Sequence, residues 1–205
     1  MCGIVAYLGT KPALPIVISG LKRLEYRGYD SAGIAIIESD GNNPDTLVVR
    51  KRKGKVSSLI EHIGEEELKG TVAIGHTRWA THGQPNDINA HPHRATSDRI
   101  ALIHNGIIEN YSTIKETLHK RGHALLSDTD SEVLAHLIEE VMNSGKMSLG
   151  DALRVALKQV TGAYAIVIID RENPTTLIAA RKSSPLVIGL GEDGAYYVAS
   201  DATPI

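Results

Sequence analysis

The order of the apolar runs constrains this chain more than any other feature. Cys2–Leu8, Ile34–Ile37, Leu47–Arg50, Thr71–Gly75 and Arg99–His104 are strand-length, with amphipathic helical runs at Pro15–Leu24 and Val56–Ile63 among them. Helical runs then follow one another at Ser112–Arg121, Thr129–Met142 and Ser148–Val160. After Gly162 only strand-length runs remain: Tyr164–Asp170, Thr176–Ala180, Leu186–Leu190 and Tyr196–Ala199, linked by turn signals at Asn173-Pro174 and Glu192-Asp193-Gly194. Roughly eight strands and four or five helices, grouped rather than alternating, predict an α+β fold of packed sheets and not a βαβ fold. Ala163–Ile169 and Leu186–Gly191 are almost wholly apolar. Both strands are therefore expected to be covered on both faces, as in two sheets stacked between helix layers.

Local signals sharpen this outline. Ile16, Leu21 and Leu24 are expected on the inner face of the first helix. Glu25–Gly33 is too glycine-rich and polar for a regular element, and Gly41–Asp45 reads as a turn. Gln84–Asp98 is a polar loop with two prolines, long enough to suggest a functional segment. Gly122 stops one helix, and Thr129-x-x-Glu132 is a capping box that opens the next. No repeat, low-complexity segment or linker divides the chain, so residues 1–205 read as one domain.

Composition excludes several classes. The chain is 42% hydrophobic and 22% charged, with a net charge of −2, which suits a globular protein with a real core. No basic block points to nucleic acid or a membrane surface. No apolar run approaches the length of a membrane span and no signal peptide is recognisable, so a cytoplasmic location is expected. Phe is absent and Trp occurs once, so aliphatic side chains must fill the core. One cysteine excludes an internal disulfide and a multi-cysteine metal site.

That cysteine, Cys2, lies directly behind Met1. Methionine before so small a side chain is of the kind that processing removes. Cys2 would then carry a thiol and a free α-amine on one Cα, and an amine with a pKa of about 7.7–8.0 can act as base for its own thiol. On its own, Met-Cys equally fits a free cysteine that begins a strand. Attack on an amide requires oxyanion donors, and the Asn105 side chain with the Gly106 N–H can supply them. Taken alone, Asn105-Gly106 reads as a turn dipeptide. Arg78 can grip a carboxylate bidentately with Thr81 as a further donor, and Trp79 beside a glycine-bearing loop suits a closing lid. In Asp128-Thr129-Asp130-Ser131, one oxygen can cap a helix while a second acid meets an ammonium group. Together these groups describe a site for glutamine or asparagine. The histidines, including His91-Pro92-His93 with His76, His82 and His104, lack metal-ligand spacing and are read as structural. No metal and no cofactor is expected. Lys51-Arg52-Lys53 with Lys55 reads as a solvated strand end.

Met1-Cys2-Gly3-Ile4, Leu24–Gly33, His76–Gly83, Asn89-Ala90-His91-Pro92, His104–Ile108, Thr129-Asp130 before Glu132, and Ser184–Gly189 are spread over nearly the whole chain. Together they resemble the N-terminal glutaminase domain of the glutamine–fructose-6-phosphate aminotransferases, within the class II glutamine amidotransferases. Cys-Gly-Ile and His-Asn-Gly mark only the class. The runs Tyr26–Gly33 and Thr77–Gly83 resemble the aminosugar branch. The resemblance implies a four-layer αββα sandwich of the N-terminal-nucleophile hydrolase type, with Cys2 as nucleophile and Asn105 and Gly106 as oxyanion hole. It implies that Arg78 and Thr81 hold the glutamine carboxylate with His82 nearby, that Asp130 holds its ammonium, that Trp79 lies on the closing loop, and that Arg27 positions the N-terminus. L-glutamine is the implied substrate. Fructose 6-phosphate is implied only through sugar-isomerase domains that family members carry beyond the point where this sequence stops, and the full-length protein is expected to be a homo-oligomer. The chain is accordingly expected to be truncated, with its last sheet short of a strand. The competing readings are the glutaminase domain of another class II amidotransferase, a non-catalytic glutamine-binding domain that keeps Met1, and a zinc hydrolase built on the histidines.

Overall fold

The computed structural model describes residues 2–39, 44–80, 83–191 and 193–205. The turn expected at Gly41–Asp45 lies largely outside the described residues, as do Met1, Thr81, His82 and Glu192. In chain order the elements are β1 (Gly3–Leu8), α1 (Ala13–Leu24), a 3₁₀ turn (Glu25–Arg27), β2 (Ser31–Glu38), β3 (Thr46–Lys53), α2 (Val56–Ile63), β4 (Val72–Arg78), β5 (His93–Arg94) and β6 (Ile100–Ile108). There follow α3 (Tyr111–Lys120), α4 (Asp130–Gly145), α5 (Leu149–Leu157), β7 (Gly162–Asp170), β8 (Leu177–Lys182), β9 (Val187–Leu190) and β10 (Tyr196–Ala199). None of the described helices is long and apolar enough to cross a membrane.

The strands form a six-stranded sheet, β3-β2-β4-β1-β10-β9, and a four-stranded sheet, β5-β6-β7-β8, with antiparallel pairing along both. Period-two alternation builds the layers. In β1, Val5 and Tyr7 pack with Val17, Leu21 and Leu24 of α1, while Ile4 and Ala6 face the other sheet. In β7, Ile166 and Ile168 pack with α4 and α5, while Ala165, Val167 and Ile169 join the layer between the sheets. The result is the four-layer αββα sandwich. The inter-sheet layer is made of Ile, Val, Leu and Ala, as a chain without Phe requires.

Several boundaries differ from the sequence reading. β2 begins at Ser31, inside the segment read as irregular, because β3 and β4 pair with it on both sides. Gly33 is needed there: a Cβ would lie 2.1 Å from the His91 carbonyl oxygen. β4 runs on to Arg78, and β6 runs through Asn105-Gly106, which is therefore strand and not turn. The loop after Gly83 contains β5. In α1, Leu21 and Leu24 are buried as expected, but Ile16 is only partly so and Val17 takes the inner position.

The capping box is also modified. Thr129 accepts from the Glu132 N–H, but the Glu132 carboxylate accepts from the N–H groups of Leu126 (3.0 Å) and Ser127 (2.6 Å). It therefore secures the approach to α4. Lys51 departs most from expectation. Its Nζ donates to the carbonyls of Ile88 and Ala90, both at 2.9 Å, and burial pulls its pKa down to about 8. It pins the long loop rather than ending a strand in solvent.

β9 is an edge strand, with Ile188 67% and Leu190 77% exposed, so its expected two-sided cover is absent. β7 has the same apolar character but lies between β6 and β8, and Tyr164–Asp170 is fully buried.

Candidate active site

Cys2 immediately precedes β1, which runs between β4 and β10. The register Gly3↔Thr77 sets Cys2 beside the end of β4, where Arg78 passes into Trp79. The Trp79 N–H donates to Cys2 Sγ at 3.2 Å, and the thiol faces the Trp79 carbonyl at 3.5 Å. Burial pushes the Cys2 thiol pKa up, with the Trp79 N–H working in the opposite direction. A thiol in this environment needs a base before it can attack.

The Cys2 carbonyl oxygen accepts from Arg27 Nε at 3.1 Å and from Asn105 Nδ2 at 3.0 Å. Arg27 is held in turn by Asp201, 3.3 Å from its Nη1, and Tyr26 donates to the same carboxylate. Asp201 took no part in the sequence reading, because nothing local ties it to a residue 174 positions earlier. Asp30 is a second omission. Its carboxylate accepts from the Ala80 N–H and from Ser31 Oγ, and so secures the segment beside Cys2.

Asn105 lies in β6 opposite Ala165, and its Oδ1 faces His76 Nε2 at 2.9 Å. The next residue, Gly106, has φ +139°, and a Cβ there would meet the Ala163 carbonyl oxygen at 2.0 Å. Glycine is the residue that fits this kinked strand. Asp130 is the first residue of α4. Its Oδ2 accepts from the Ile108 N–H at 2.8 Å, which ties the helix start to the end of β6. The cap itself is Thr129, and Asp128 turns away to exchange hydrogen bonds with Asn89. Arg78 is buried, and its guanidinium reaches the carbonyls of Gly83 and Gln84 at 3.3 and 3.5 Å.

These groups converge on one cavity of about 340 Å³, lined among others by Cys2, Arg27, Arg78, Trp79, Asn105, Gly106 and Asp130, with Ser184 and Pro185 on its rim. Its volume is in the range of small-molecule sites. Trp79 is half-exposed and sits edge-on to Tyr29, with ring centroids 5.4 Å apart. Seven of the nine residues singled out from sequence therefore meet; the other two, Thr81 and His82, lie outside the described residues.

Adjoining these groups is a cluster of four buried histidines, of which His91 and His104 also line the cavity. His76 stacks on His91, with centroids 4.2 Å apart, and His91 meets His93 edge-on. His104 Nδ1 lies 2.9 Å from Ser131 Oγ, and His93 Nε2 lies 3.0 Å from Thr129 Oγ1. Burial lowers the pKa of all four, that of His76 to about 3, so they are neutral at pH 7. Away from the cavity, His123, His136 and Glu139 bring potential ligand atoms within 4.8 Å of one another. There the two Nδ1 atoms are 3.1 Å apart, and Glu139 accepts from the N–H groups of Thr96 and Ser97 and from Ser97 Oγ.

A family model described as a glutamine amidotransferase domain matches residues 76–205. The chain is 56% identical over 205 residues to a glutamine–fructose-6-phosphate aminotransferase (isomerizing) of Bacteroides thetaiotaomicron, covering 100% of this chain and 33% of the relative. It is 55% identical to the enzyme of that name from Thermus thermophilus, covering 98% of this chain and 32% of the relative. The chain thus spans about a third of the length of these relatives. Among solved structures, the glutamine phosphoribosylpyrophosphate amidotransferase of B. subtilis, complexed with ADP and GMP, superposes with a TM-score of 0.82 at 33% identity, covering 99% of this chain and 42% of that one.

Proposed function

The chain belongs to the glutamine amidotransferase domain family, and from that premise we propose that it is the glutaminase part of a glutamine–fructose-6-phosphate aminotransferase. Its reaction is hydrolysis of the glutamine side-chain amide to glutamate and ammonia. One observation carries the reading: Cys2, Asn105, Arg78 and Asp130 line the same cavity. A nucleophile, an oxyanion donor, a carboxylate binder and an ammonium binder are the parts this reaction needs.

Removal of Met1 leaves the Cys2 α-amine as base for the raised thiol. The thiolate attacks the amide carbon, and the oxyanion forms facing the second N–H of Asn105 Nδ2 and the Gly106 N–H. Collapse of the tetrahedral intermediate breaks the C–N bond, and the protonated amine supplies the proton that leaves with ammonia. A γ-glutamyl thioester remains on Cys2. Water then attacks the thioester, giving glutamate and the free thiol. Arg78 grips the α-carboxylate and Asp130 the α-ammonium, with Thr81 and His82 assigned beside Arg78 by the family resemblance. Trp79 covers the occupied site, and Arg27 fixes the position of Cys2 through its carbonyl oxygen. In the whole protein the ammonia passes to fructose 6-phosphate.

The test is labelling with an electrophilic glutamine analogue, followed by peptide mapping and intact mass. Covalent modification at Cys2 of a chain lacking Met1 is expected. Modification elsewhere, or none while glutamine is still hydrolysed, overturns the reading. Supplying fructose 6-phosphate with glutamine should yield glutamate without glucosamine 6-phosphate from these residues, because the cavity's recognised groups all serve an amino acid.

A further inference from the structure

We propose that His76 is a positioning residue that sets which way the Asn105 amide faces, and so keeps the N–H groups of that amide on the side of Cys2. The proposal deepens the glutaminase reading and rests on Asn105 acting as oxyanion donor. An asparagine amide has two nearly isosteric ends, one accepting and one donating, and only the donating end can stabilise an oxyanion. The Cys2 carbonyl can only accept, so the atom 3.0 Å from it must be Nδ2. Oδ1 then faces His76 Nε2 at 2.9 Å, which requires a proton on Nε2. Neutral His76 in its Nε2–H form is thus the donor that matches this orientation. In the flipped amide, Oδ1 would face the Cys2 carbonyl oxygen and Nδ2 would face the His76 N–H, so both contacts would turn repulsive at once.

The surroundings keep the ring in that state. His76 is fully buried at the centre of β4, paired with Ile4 on one side and Gly33 on the other. His91 stacks against its face, and its Nδ1 has no hydrogen-bond partner among the described residues. Burial is the chief cause of the lowered His76 pKa, and the Arg78 charge works in the same direction. A buried, neutral, stacked ring cannot reorient freely, so the single N–H it presents is fixed in direction.

The experiment compares His76→Phe and His76→Gln in the wild-type and Asn105→Ala backgrounds, with Cys2 intact. Phe keeps the ring and removes the donor, whereas Gln places an amide N–H near the former Nε2. In the wild-type background His76→Phe should lower kcat about tenfold or more with KM changed less than about threefold, and Gln should recover part of kcat. In the Asn105→Ala background His76→Phe should lower kcat by less than about twofold, since its target is gone. An equal loss in both backgrounds, or wild-type kcat for His76→Phe, overturns the proposal. Wild-type kcat for Asn105→Ala overturns the reading beneath it instead. ¹⁵N NMR of the wild-type protein tests the tautomer without any substitution. His76 should show a protonated Nε2 and a bare Nδ1 from pH 8 to 5, and the opposite tautomer overturns the proposal even if His76→Phe does not fold.

Discussion

Two parts of the cavity lining are built differently. The part around Cys2 consists of β1 and β4, neighbours in one sheet, and β6 of the other sheet, with Asn105 between the Cys2 carbonyl and His76. Its polar groups are uncharged, with His76 buried and Cys2 and Asn105 half-buried, and they are bonded to one another before any ligand arrives. Another part of the lining carries charge: Arg78 at the end of β4 and Asp130 at the start of α4. Both are buried, yet each is tied to backbone groups, Arg78 to the Gly83 and Gln84 carbonyls and Asp130 to the Ile108 N–H. The first part is suited to charge that appears only during reaction, the second to charge that the substrate always has. Substitutions should therefore separate into effects on kcat and effects on KM.

The largest expected effect is at the reaction centre. Cys2→Ala should abolish glutamate formation while leaving the fold and glutamine binding intact, measured by product assay and calorimetry. Ammonia release near the wild-type rate would remove Cys2 from the mechanism. Asn105→Ala comes next, with kcat reduced ~10²–10³-fold and a smaller change in KM. Steady-state kinetics that place the loss in KM would erase the distinction between the two parts.

In the charged part, Asp130→Asn and Arg78→Ala should each raise KM about tenfold or more with kcat changed less. Asn is the sharper probe, because its carbonyl oxygen can still accept from Ile108 while the charge is gone. If Asp130→Asn matches wild-type KM, the ammonium must be bound elsewhere. The smallest effect concerns stability. Buried His76, His91, His93 and His104 have lowered pKa values, so between those values and about 6.5 the unfolded chain binds more protons than the folded one. Their contribution to stability is complete above about pH 6.5 and is lost as pH falls below it. The urea midpoint should be lower at pH 5.5 than at 7.5; equal midpoints would mean that these rings already carry protons in the folded state.

Much of the candidate site was legible because the chemistry proposed for it is carried by side-chain type. A single cysteine at position 2, an arginine followed by the single tryptophan, and an Asp at a capped helix start announce themselves in any order of reading. Local spacing misled where tertiary pairing dominates. Asn105-Gly106 has turn propensity, but β7 pairs with it along its length and converts it to strand. Lys51 sits in a basic run, yet three nearby loop carbonyls draw it inward. Asp201, Asp30 and His76 carry no local signal, since each acts through a partner far along the chain or across the sheet.

The pattern of apolar periods by itself determined that two sheets would stack between helices, because alternate side chains along a strand must reach opposite layers. The residue types by themselves determined the kind of chemistry available. Which strand lies inside and which at an edge was decided only by the tertiary structure. β7 and β9 are both apolar, but β7 has a neighbour on each side and β9 has one. The same holds for the orientation of Asn105. An amide's composition is symmetric to the eye of a sequence, and only the donors and acceptors packed around it choose which end faces Cys2.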